Sequence, residues 1–320
     1  MMKINVGDLE YEWLSDWAQL PPMAGFAHHG MALAADGTVV TGHAADPKIL
    51  ILSPDGELLR EVVVPVTETH GITVSGSAGS QTLWIVDTGT KYGKDPAGPA
   101  QILKCSMDGE VLARLVRADF DYAEEDAFCP TALAVDPATD QVWITDGYGA
   151  SRVHRFSPEL KLELTLTGAE DAAGPFAQPH WIFADTRKER TRIYVADRRN
   201  DRIQSFETDG TFISVVEDGL ITPSVFGAFG EYLVVGELNA RLVILDGNDT
   251  VVGTIGEGHQ YLERTGWPNR EDANGTPQSP LDDIDSFTFN SPHGMAVDPT
   301  GNIYVSEWLI GDRFTKLKRV

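Results

Sequence analysis

Residues 179–216 have the sequence P-H-W-I-F-A-D-T-R-K-E-R-T-R-I-Y-V-A-D-R-R-N-D-R-I-Q-S-F-E-T-D-G-T-F-I-S-V-V, in which four short apolar runs are separated by polar turns. The runs are rich in Ile, Val, Phe and Tyr, and Asp, Asn and Gly lie between them. This composition and spacing are typical of consecutive antiparallel strands. The segment is therefore predicted to form one four-stranded unit.

Similar units recur along the whole chain, near 26–66, 67–117, 128–167, 176–217, 221–256 and 288–320. Six units of short strands predict an all-β fold, a six-bladed β-propeller, formed by residues 1–320 as a single domain. The sixth unit reaches Val320 after only three strands. We expect the N-terminal stretch 9–17 to supply the missing outer strand, because ring closure removes exposed sheet edges.

Four of the units begin with a histidine at the same position: His29, His70, His180 and His293. The first strand of each blade lies nearest the propeller axis, so these side chains are predicted to converge. Converging imidazoles are ligands for transition metals, and His70, His180 and His293 are the candidates. For His29 three roles stay open: a fourth ligand, which would favour Fe²⁺ or Mn²⁺, a substrate contact, or packing. His28 is expected to point away from the site.

A second recurring position ends the second strand of each unit. It is occupied by His43, Asp87, Asp146, Asp197, Glu237 and Glu307. The aspartates are expected to accept backbone N–H groups in the following turn. Glu307 shares a unit with His293 and is a candidate substrate contact. The long segment 256–290 is expected to overhang the same face, where loops usually carry function.

Bulk properties restrict the partners and the compartment. The formal net charge of −23 argues against binding nucleic acid or an anionic membrane. No apolar run is long enough to span a bilayer, and the N-terminus lacks a signal-peptide core. Cys105 and Cys129 are expected to be free thiols, which suits a reducing compartment. The sequence therefore predicts a cytoplasmic protein, and it leaves the oligomeric state open.

Two segments resemble blades of peptidyl-α-hydroxyglycine α-amidating lyase: F-C-P-T-A-L-A-V-D-P-A-T-D-Q-V-W-I-T-D-G-Y-G-A-S-R-V-H-R-F-S-P (128–158) and Y-V-A-D-R-R-N-D-R-I-Q-S-F-E-T (194–208). The second also contains the NHL-repeat pattern V-x-D-x-x-N-x-R-I at 195–203. The resemblance implies an NHL-type propeller. It also implies a lyase that acts on a small-molecule or peptide-terminal substrate, cleaves the N–C bond of a carbinolamide and releases an amide and glyoxylate.

The resemblance further implies roles for individual residues. His70, His180 and His293 would hold Zn²⁺ and leave a coordination position open for catalysis. Tyr148, in D-G-Y, matches an active-site tyrosine that could transfer a proton. Arg198, in A-D-R, matches an active-site arginine that takes part in catalysis or binds a substrate carboxylate.

The chain also departs from that family. Where the family has an arginine in an H-R-G context, this chain has A-H-H-G at 27–30. Gly294 follows His293 where the family has an aspartate of a calcium site, which leaves a structural Ca²⁺ open. Two alternatives therefore remain. One is another metal-dependent lyase or hydrolase acting on a small α-hydroxy compound, and the other is a non-catalytic NHL-repeat binding module.

Overall fold

The computed structural model describes residues 3–15, 17–91, 97–170 and 172–320, and it confirms the six-bladed β-propeller. Blade 1 contains strands Met31–Leu33, Val39–Gly42, Lys48–Leu52 and Leu58–Val63. Blade 2 contains Gly71–Ser75, Thr82–Asp87, Gln101–Ser106 and Val111–Val116. Blade 3 contains Ala132–Val135, Val142–Asp146, Arg152–Phe156 and Leu162–Leu166. Within each blade, neighbouring strands are antiparallel.

The second half of the ring repeats this arrangement. Blade 4 contains Pro179–Asp185, Arg192–Asp197, Arg202–Glu207 and Phe212–Val216. Blade 5 contains Pro223–Phe229, Tyr232–Glu237, Arg241–Leu245 and Val251–Ile255. Blade 6 contains Pro292–Val297, Ile303–Glu307 and Phe314–Arg319. The innermost strand of every blade packs against those of its two neighbours, and the ring closes between blades 6 and 1.

The N-terminus completes blade 6, as the sequence predicts. Strand Leu9–Leu14 pairs antiparallel with Phe314–Arg319, with Trp13 opposite Leu317. A further strand, Lys3–Val6, adds a fifth member at the outer edge, which sequence analysis did not predict. Trp17 then packs against Tyr304 with ring centroids 5.0 Å apart, and this contact fixes the N-terminal segment to the blade. Chain from both ends therefore forms the blade at which the ring closes.

Short elements interrupt the connections. The 3₁₀ turns are Arg117–Asp119, Arg198–Asn200, His259–Tyr261 and Leu281–Asp283. A small hairpin, Arg270–Glu271 with Pro277–Gln278, lies in the 256–290 segment. In the part of the chain that is described, no helix has the length and apolarity needed to cross a membrane.

Burial follows from the stacking of the blades. The second strands are buried on both faces, because each blade is covered by a neighbour on either side. The channel at the far end of the inner strands holds a cavity of about 280 Å³. Most of its lining residues have apolar side chains, with Ile72, Leu133 and Phe226 among them. The polar end of the channel lies at the other face, where the inner strands begin.

Candidate metal centre

Four imidazoles meet on the propeller axis: His28, His70, His180 and His293. The ring centroid of His70 lies 4.4 Å from that of His28, 5.1 Å from that of His180 and 4.9 Å from that of His293. The His293 ring also lies 4.6 Å from His28 and 5.1 Å from His180. All four side chains are buried. The predicted convergence of His70, His180 and His293 is therefore present in the structure.

Backbone carbonyls orient three of these rings. The Nδ1 atom of His70 lies 2.6 Å from the carbonyl oxygen of Thr131, and that of His180 lies 2.8 Å from Ser224 O. His293 Nδ1 makes the same contact, at 3.3 Å, with His29 O. A carbonyl only accepts, so each Nδ1 carries the proton, and each Nε2 directs a lone pair toward the axis. This is the tautomer that a metal ligand requires.

Glycine makes this arrangement sterically possible in two blades. A Cβ atom on residue 71 would lie 2.7 Å from Thr131 O, the same atom that accepts from His70. A Cβ on residue 294 would likewise lie 2.7 Å from His29 O, which accepts from His293. In both blades, the glycine after the histidine lets the next blade come close enough for its backbone carbonyl to accept a hydrogen bond from the histidine Nδ1.

The structure corrects the prediction for the pair His28 and His29. His28 faces the axis, whereas the His29 side chain points between blades, where both of its ring nitrogens have hydrogen-bond partners. Its Nε2 lies 2.6 Å from Asp312 Oδ2, and its Nδ1 lies 3.0 Å from Thr41 Oγ1. Burial opposes charge on His29, but the Asp312 carboxylate outweighs it and raises the pKa of the imidazole. His29 is therefore neither a fourth ligand nor a substrate contact, and its role is structural.

Tyr148 and Arg198 lie beside the histidines. The Tyr148 hydroxyl is 3.2 Å from Nε2 of both His28 and His70, and 3.0 Å from Nε2 of His180. The Arg198 guanidinium carbon lies 5.5 Å from the centroid of the Tyr148 ring. Burial raises the pKa of the Tyr148 phenol, and the positive charge of Arg198 opposes that rise only in part. The catalytic roles predicted for these two residues stay predictions.

The centre has more acceptors than donors. Four Nε2 lone pairs face the axis, and the single phenol proton of Tyr148 can satisfy only one of them. His293 Nε2 is buried without any hydrogen-bond partner among the described residues. Burial, reinforced by neighbouring positive groups, lowers the pKa of His70, His180 and His293 well below the usual value, so protonation cannot supply the missing donors. A cation therefore fits this centre.

The ligand set indicates which cation. The ligand atoms of His28, His70 and His293 all lie within 4.8 Å of one another, and His180 stands just outside this group. Imidazole nitrogens suit Zn²⁺ and other first-row transition metals, whereas Ca²⁺ requires oxygen ligands. The metal's identity and the membership of His180 stay predictions.

The recurring acids at the ends of the second strands are structural. Asp146 accepts hydrogen bonds from the backbone N–H groups of Cys129, Gly149 and Ala150, and thereby fixes the turn that carries Tyr148. Asp87 does the same for its own turn, and the ring nitrogen Nδ1 of His43 takes the acceptor's place in blade 1.

Glu307 belongs to the same structural class, which corrects its prediction as a substrate contact. Its Oε1 accepts from the backbone N–H groups of Asn290 and Ser291, and its Oε2 binds Arg313 at 3.0 Å. Both carboxylate oxygens have hydrogen-bond partners and the residue is buried, so it has no free group to offer a substrate.

Sequence reasoning missed an aromatic group and a carboxylate at the site. Trp308 lies 5.9 Å from the His28 ring, and Phe26 stacks on Trp308 at 5.2 Å. Trp267 packs edge-on against Trp308 at 5.9 Å, so the 256–290 segment does reach this face. Glu68 binds His28 from the other side. Glu68 could have been found from the sequence, because it lies two residues before His70 and alternate residues of an extended chain point to the same side.

Acid is expected to destabilise the metal-free protein. In the folded state His70, His180 and His293 stay neutral, whereas in the unfolded chain each takes up a proton as the pH falls through about 6.5. The unfolded state then binds more protons, so each histidine lowers the free energy of unfolding by up to about 1.4 kcal/mol per pH unit. Burial also lowers the pKa of His43 and His154, so five histidines act in this direction and only His29, whose pKa is raised, acts against it among the histidines with a shifted pKa.

Urea unfolding of chelator-treated protein at about pH 7 and pH 5.5 measures this effect. The midpoint is expected to fall with pH, and Zn²⁺ is expected to raise it at pH 7. A midpoint that is equal or higher at the lower pH would contradict the neutral state assigned to the three rings.

Comparisons with known proteins identify the family. No family model matches the chain. The chain is 32% identical over 256 residues to NHL repeat-containing protein 3 of Mus musculus, covering 71% of this chain and 69% of that protein. It is 28% identical over 226 residues to peptidylglycine alpha-amidating monooxygenase of Rattus norvegicus, covering 63% of this chain but only 23% of that protein.

Solved structures agree on the architecture. A streptogramin B lyase structure superposes with a TM-score of 0.60 at 14% identity, covering 97% of this chain and 98% of that one. At this identity the likeness concerns the fold alone. Together with the mouse relative, the repeat pattern and the ring of blades, it leads to one conclusion. The chain belongs to the NHL-repeat family of six-bladed β-propellers.

Proposed function

We propose that this protein is a metal-dependent lyase that cleaves the N–C bond of a carbinolamide of the α-hydroxyglycine type. One observation carries the proposal: three buried imidazole nitrogens share the single phenol proton of Tyr148, and a fourth, His293 Nε2, has no hydrogen-bond partner among the described residues. The Arg198 guanidinium lies 5.5 Å from the same phenol ring. The resemblance to α-amidating lyase gives this centre its reaction, and part of a curated amidating enzyme is similar in sequence. The substrate would be a small molecule or the terminus of a peptide.

The residues present fit a divalent transition metal, with Zn²⁺ as the first candidate. His28, His70 and His293 would hold it, with His180 as a further ligand. A bound Zn²⁺ would supply Lewis acidity that favours ionisation of a substrate hydroxyl near neutral pH. The remaining steps belong to the protein's own side chains.

Arg198 would bind the substrate carboxylate. Its side chain is 8% exposed, and its Nε donates to the neutral Gln178 amide at 3.2 Å. Among the described residues no carboxylate forms an ion pair with it, and a buried unpaired charge is costly. An anionic substrate would offset that cost and place its α-carbon next to Tyr148.

Tyr148 would move the proton. In the reaction the hydroxyl oxygen loses its proton, the C–N bond breaks with its electron pair leaving on nitrogen, and the hydroxyl carbon becomes the aldehyde of glyoxylate. The nitrogen must then gain one proton to become the amide. The Tyr148 hydroxyl lies within 3.2 Å of three imidazole nitrogens, where the phenol can donate its own proton to the leaving nitrogen as it accepts the proton of the substrate hydroxyl.

Glyoxylate release from an N-acyl-α-hydroxyglycine, measured together with the metal content of the purified protein, tests the proposal. We expect about one transition metal per chain and release of glyoxylate and amide in equal amounts, both abolished by a chelator. Metal without glyoxylate would refute the reaction and leave the metal centre.

Arg198→Gln is expected to raise the KM for the carboxylate substrate by about 10- to 100-fold, because a charged hydrogen bond is lost. The matched experiment uses the α-hydroxyglycinamide analogue, which has no carboxylate. Wild type and variant should differ little on that analogue. An equal loss on both substrates would show that Arg198 does not recognise the carboxylate.

One observation favours a second candidate, another metal-dependent lyase or hydrolase acting on a small α-hydroxy compound. His28 or His29 stands where the α-amidating lyases have an arginine, and the ring that points into the centre is that of His28. An imidazole cannot contribute the fixed charge that the arginine offers a substrate. Metal-dependent turnover of other α-hydroxy compounds, in the absence of glyoxylate release, would support this candidate.

A further inference from the structure

The fourth imidazole differs from the other three in the partner of its Nδ1. His70, His180 and His293 each face a neutral backbone carbonyl. His28 Nδ1 instead lies 3.1 Å from Oε2 of Glu68. In the described part of the chain, Glu68 is the one carboxylate that contacts a ring of this group. Its side chain is 9% exposed, so the contact lies largely outside bulk water.

A carboxylate in this place has two physical effects on the centre. It accepts the Nδ1 proton, which leaves the Nε2 lone pair of His28 free and makes that nitrogen a stronger donor to a metal. It also contributes a negative charge. Four neutral imidazoles around a divalent cation, with Arg198 nearby, would otherwise collect three positive charges in a buried volume.

We propose that Glu68 is a positioning residue that makes His28 the fourth imidazole of the metal centre and strengthens the binding of a divalent transition metal. This inference rests on the metal centre of the proposed function but not on its lyase reaction. It also gives the A-H-H-G segment a role, because this segment, which has no arginine where the α-amidating lyases have one, supplies an imidazole with a carboxylate partner.

The position of Glu68 is set by the turn that follows strand Thr82–Asp87. The backbone N–H of Glu68 donates to Asp87 Oδ1 at 3.1 Å. The hydroxyl of Thr88, the residue after Asp87, donates to Glu68 Oε2 at 2.8 Å. Both contacts belong to the protein itself, so the carboxylate is placed before any metal arrives. The same oxygen accepts from Thr88 and from His28, which fixes the direction of the imidazole.

The variants Glu68→Gln and Glu68→Ala separate the charge from the hydrogen bond. Glutamine keeps an acceptor oxygen and loses the charge, whereas alanine loses both. Each protein is stripped with a chelator and titrated with Zn²⁺ in competition with a chromophoric chelator, and with Co²⁺ followed by its visible absorption. We expect a loss of affinity of about 10- to 100-fold, larger for alanine, and an altered Co²⁺ spectrum. The exposed Glu217→Gln is the matched control and should bind as wild type does.

A double-mutant cycle isolates the route through His28. His28→Ala should lose at least as much affinity as Glu68→Gln, and the double variant should lose no more than His28→Ala alone. Thr88→Val removes only the hydroxyl that orients Glu68, keeps the side-chain volume and should give a smaller loss of the same kind. It tests the inference even where a Glu68 variant does not fold.

Unchanged affinity and an unchanged Co²⁺ spectrum in the folded Glu68 and Thr88 variants would overturn the inference, and so would additive losses in the double variant. Either result would leave the lyase proposal intact. Conversely, wild-type protein that binds metal but releases no glyoxylate would refute the lyase and leave the role of Glu68 standing.

Discussion

Replacing both His70 and His293 with alanine is expected to abolish metal binding while the propeller stays folded. Each of these imidazoles has its Nδ1 bound to a carbonyl and its Nε2 directed at the axis, so each change removes one donor nitrogen. Two remaining rings cannot hold a transition metal in the three- or four-coordinate geometry that such sites require. Elemental analysis should fall from about one ion per chain to background, and activity should fall with it.

His29→Gln is the informative control for that experiment. His29 is the sequence neighbour of the proposed ligand His28, yet its ring binds Asp312 and Thr41. The variant should therefore retain its metal and lose about 1–3 kcal/mol in the free energy of unfolding. Loss of metal from His29→Gln, or full metal content in the double alanine variant, would show that the axial centre is assigned to the wrong rings.

The fold could be predicted from sequence because every blade repeats the same local pattern. Strand runs such as those in 179–216 recur at regular spacing, and each blade alone leaves an apolar face that only a neighbour can cover. The sixth unit has only three strands, and this shortage correctly predicted that the N-terminal strand Leu9–Leu14 completes it. The outermost strand Lys3–Val6 was not predicted, because a strand at an outer edge is specified by little more than its own pairing.

The axial centre could be predicted only in part. The position of a histidine in the repeat indicates where along the inner strand it lies, but it does not indicate the direction in which its side chain points. His29 aligns with His70 and His293 through the shared His-Gly pair, yet it is His28 that faces the axis. Consecutive residues of an extended chain point to opposite sides, so the choice depends on the local twist ahead of strand Met31–Leu33. The sequence carries no direct record of that twist.

Glu307 shows a different limit of sequence reasoning. Glu307 was predicted to contact substrate because it shares a blade with His293, but its carboxylate stabilises the turn instead. Glu307 binds Arg313 through one oxygen and two backbone N–H groups through the other, and Glu237 pairs with Arg241 in the same way. The compensating arginine lies six or four residues further along the chain. The two glutamate–arginine pairs are therefore a variant of the structural turn and indicate no function.

Tyr148→Phe is expected to lower kcat by about 10²- to 10⁴-fold, because it removes the group assigned to proton transfer and nothing else. Among the described residues, the phenol is the one side-chain donor within hydrogen-bond distance of the axial Nε2 atoms, and it reaches three of them. Asp146 fixes the turn that carries it through backbone contacts, so the ring should keep its place. Metal content should be unchanged, and KM should change far less than kcat, because the lost contact belongs to the reacting state.

Tyr304→Phe is the matched control, since it removes the hydroxyl of another buried tyrosine, one that contacts Asp298 in blade 6. Its turnover should equal that of wild type. If Tyr148→Phe also lost metal, the phenol would be acting as a ligand or as a spacer between the rings. If it retained both metal and a kcat within about threefold of wild type, proton transfer would have to be assigned to another group. Turnover and metal content measured on the same preparation distinguish these cases, because a proton-transfer role predicts that turnover falls while the metal stays bound.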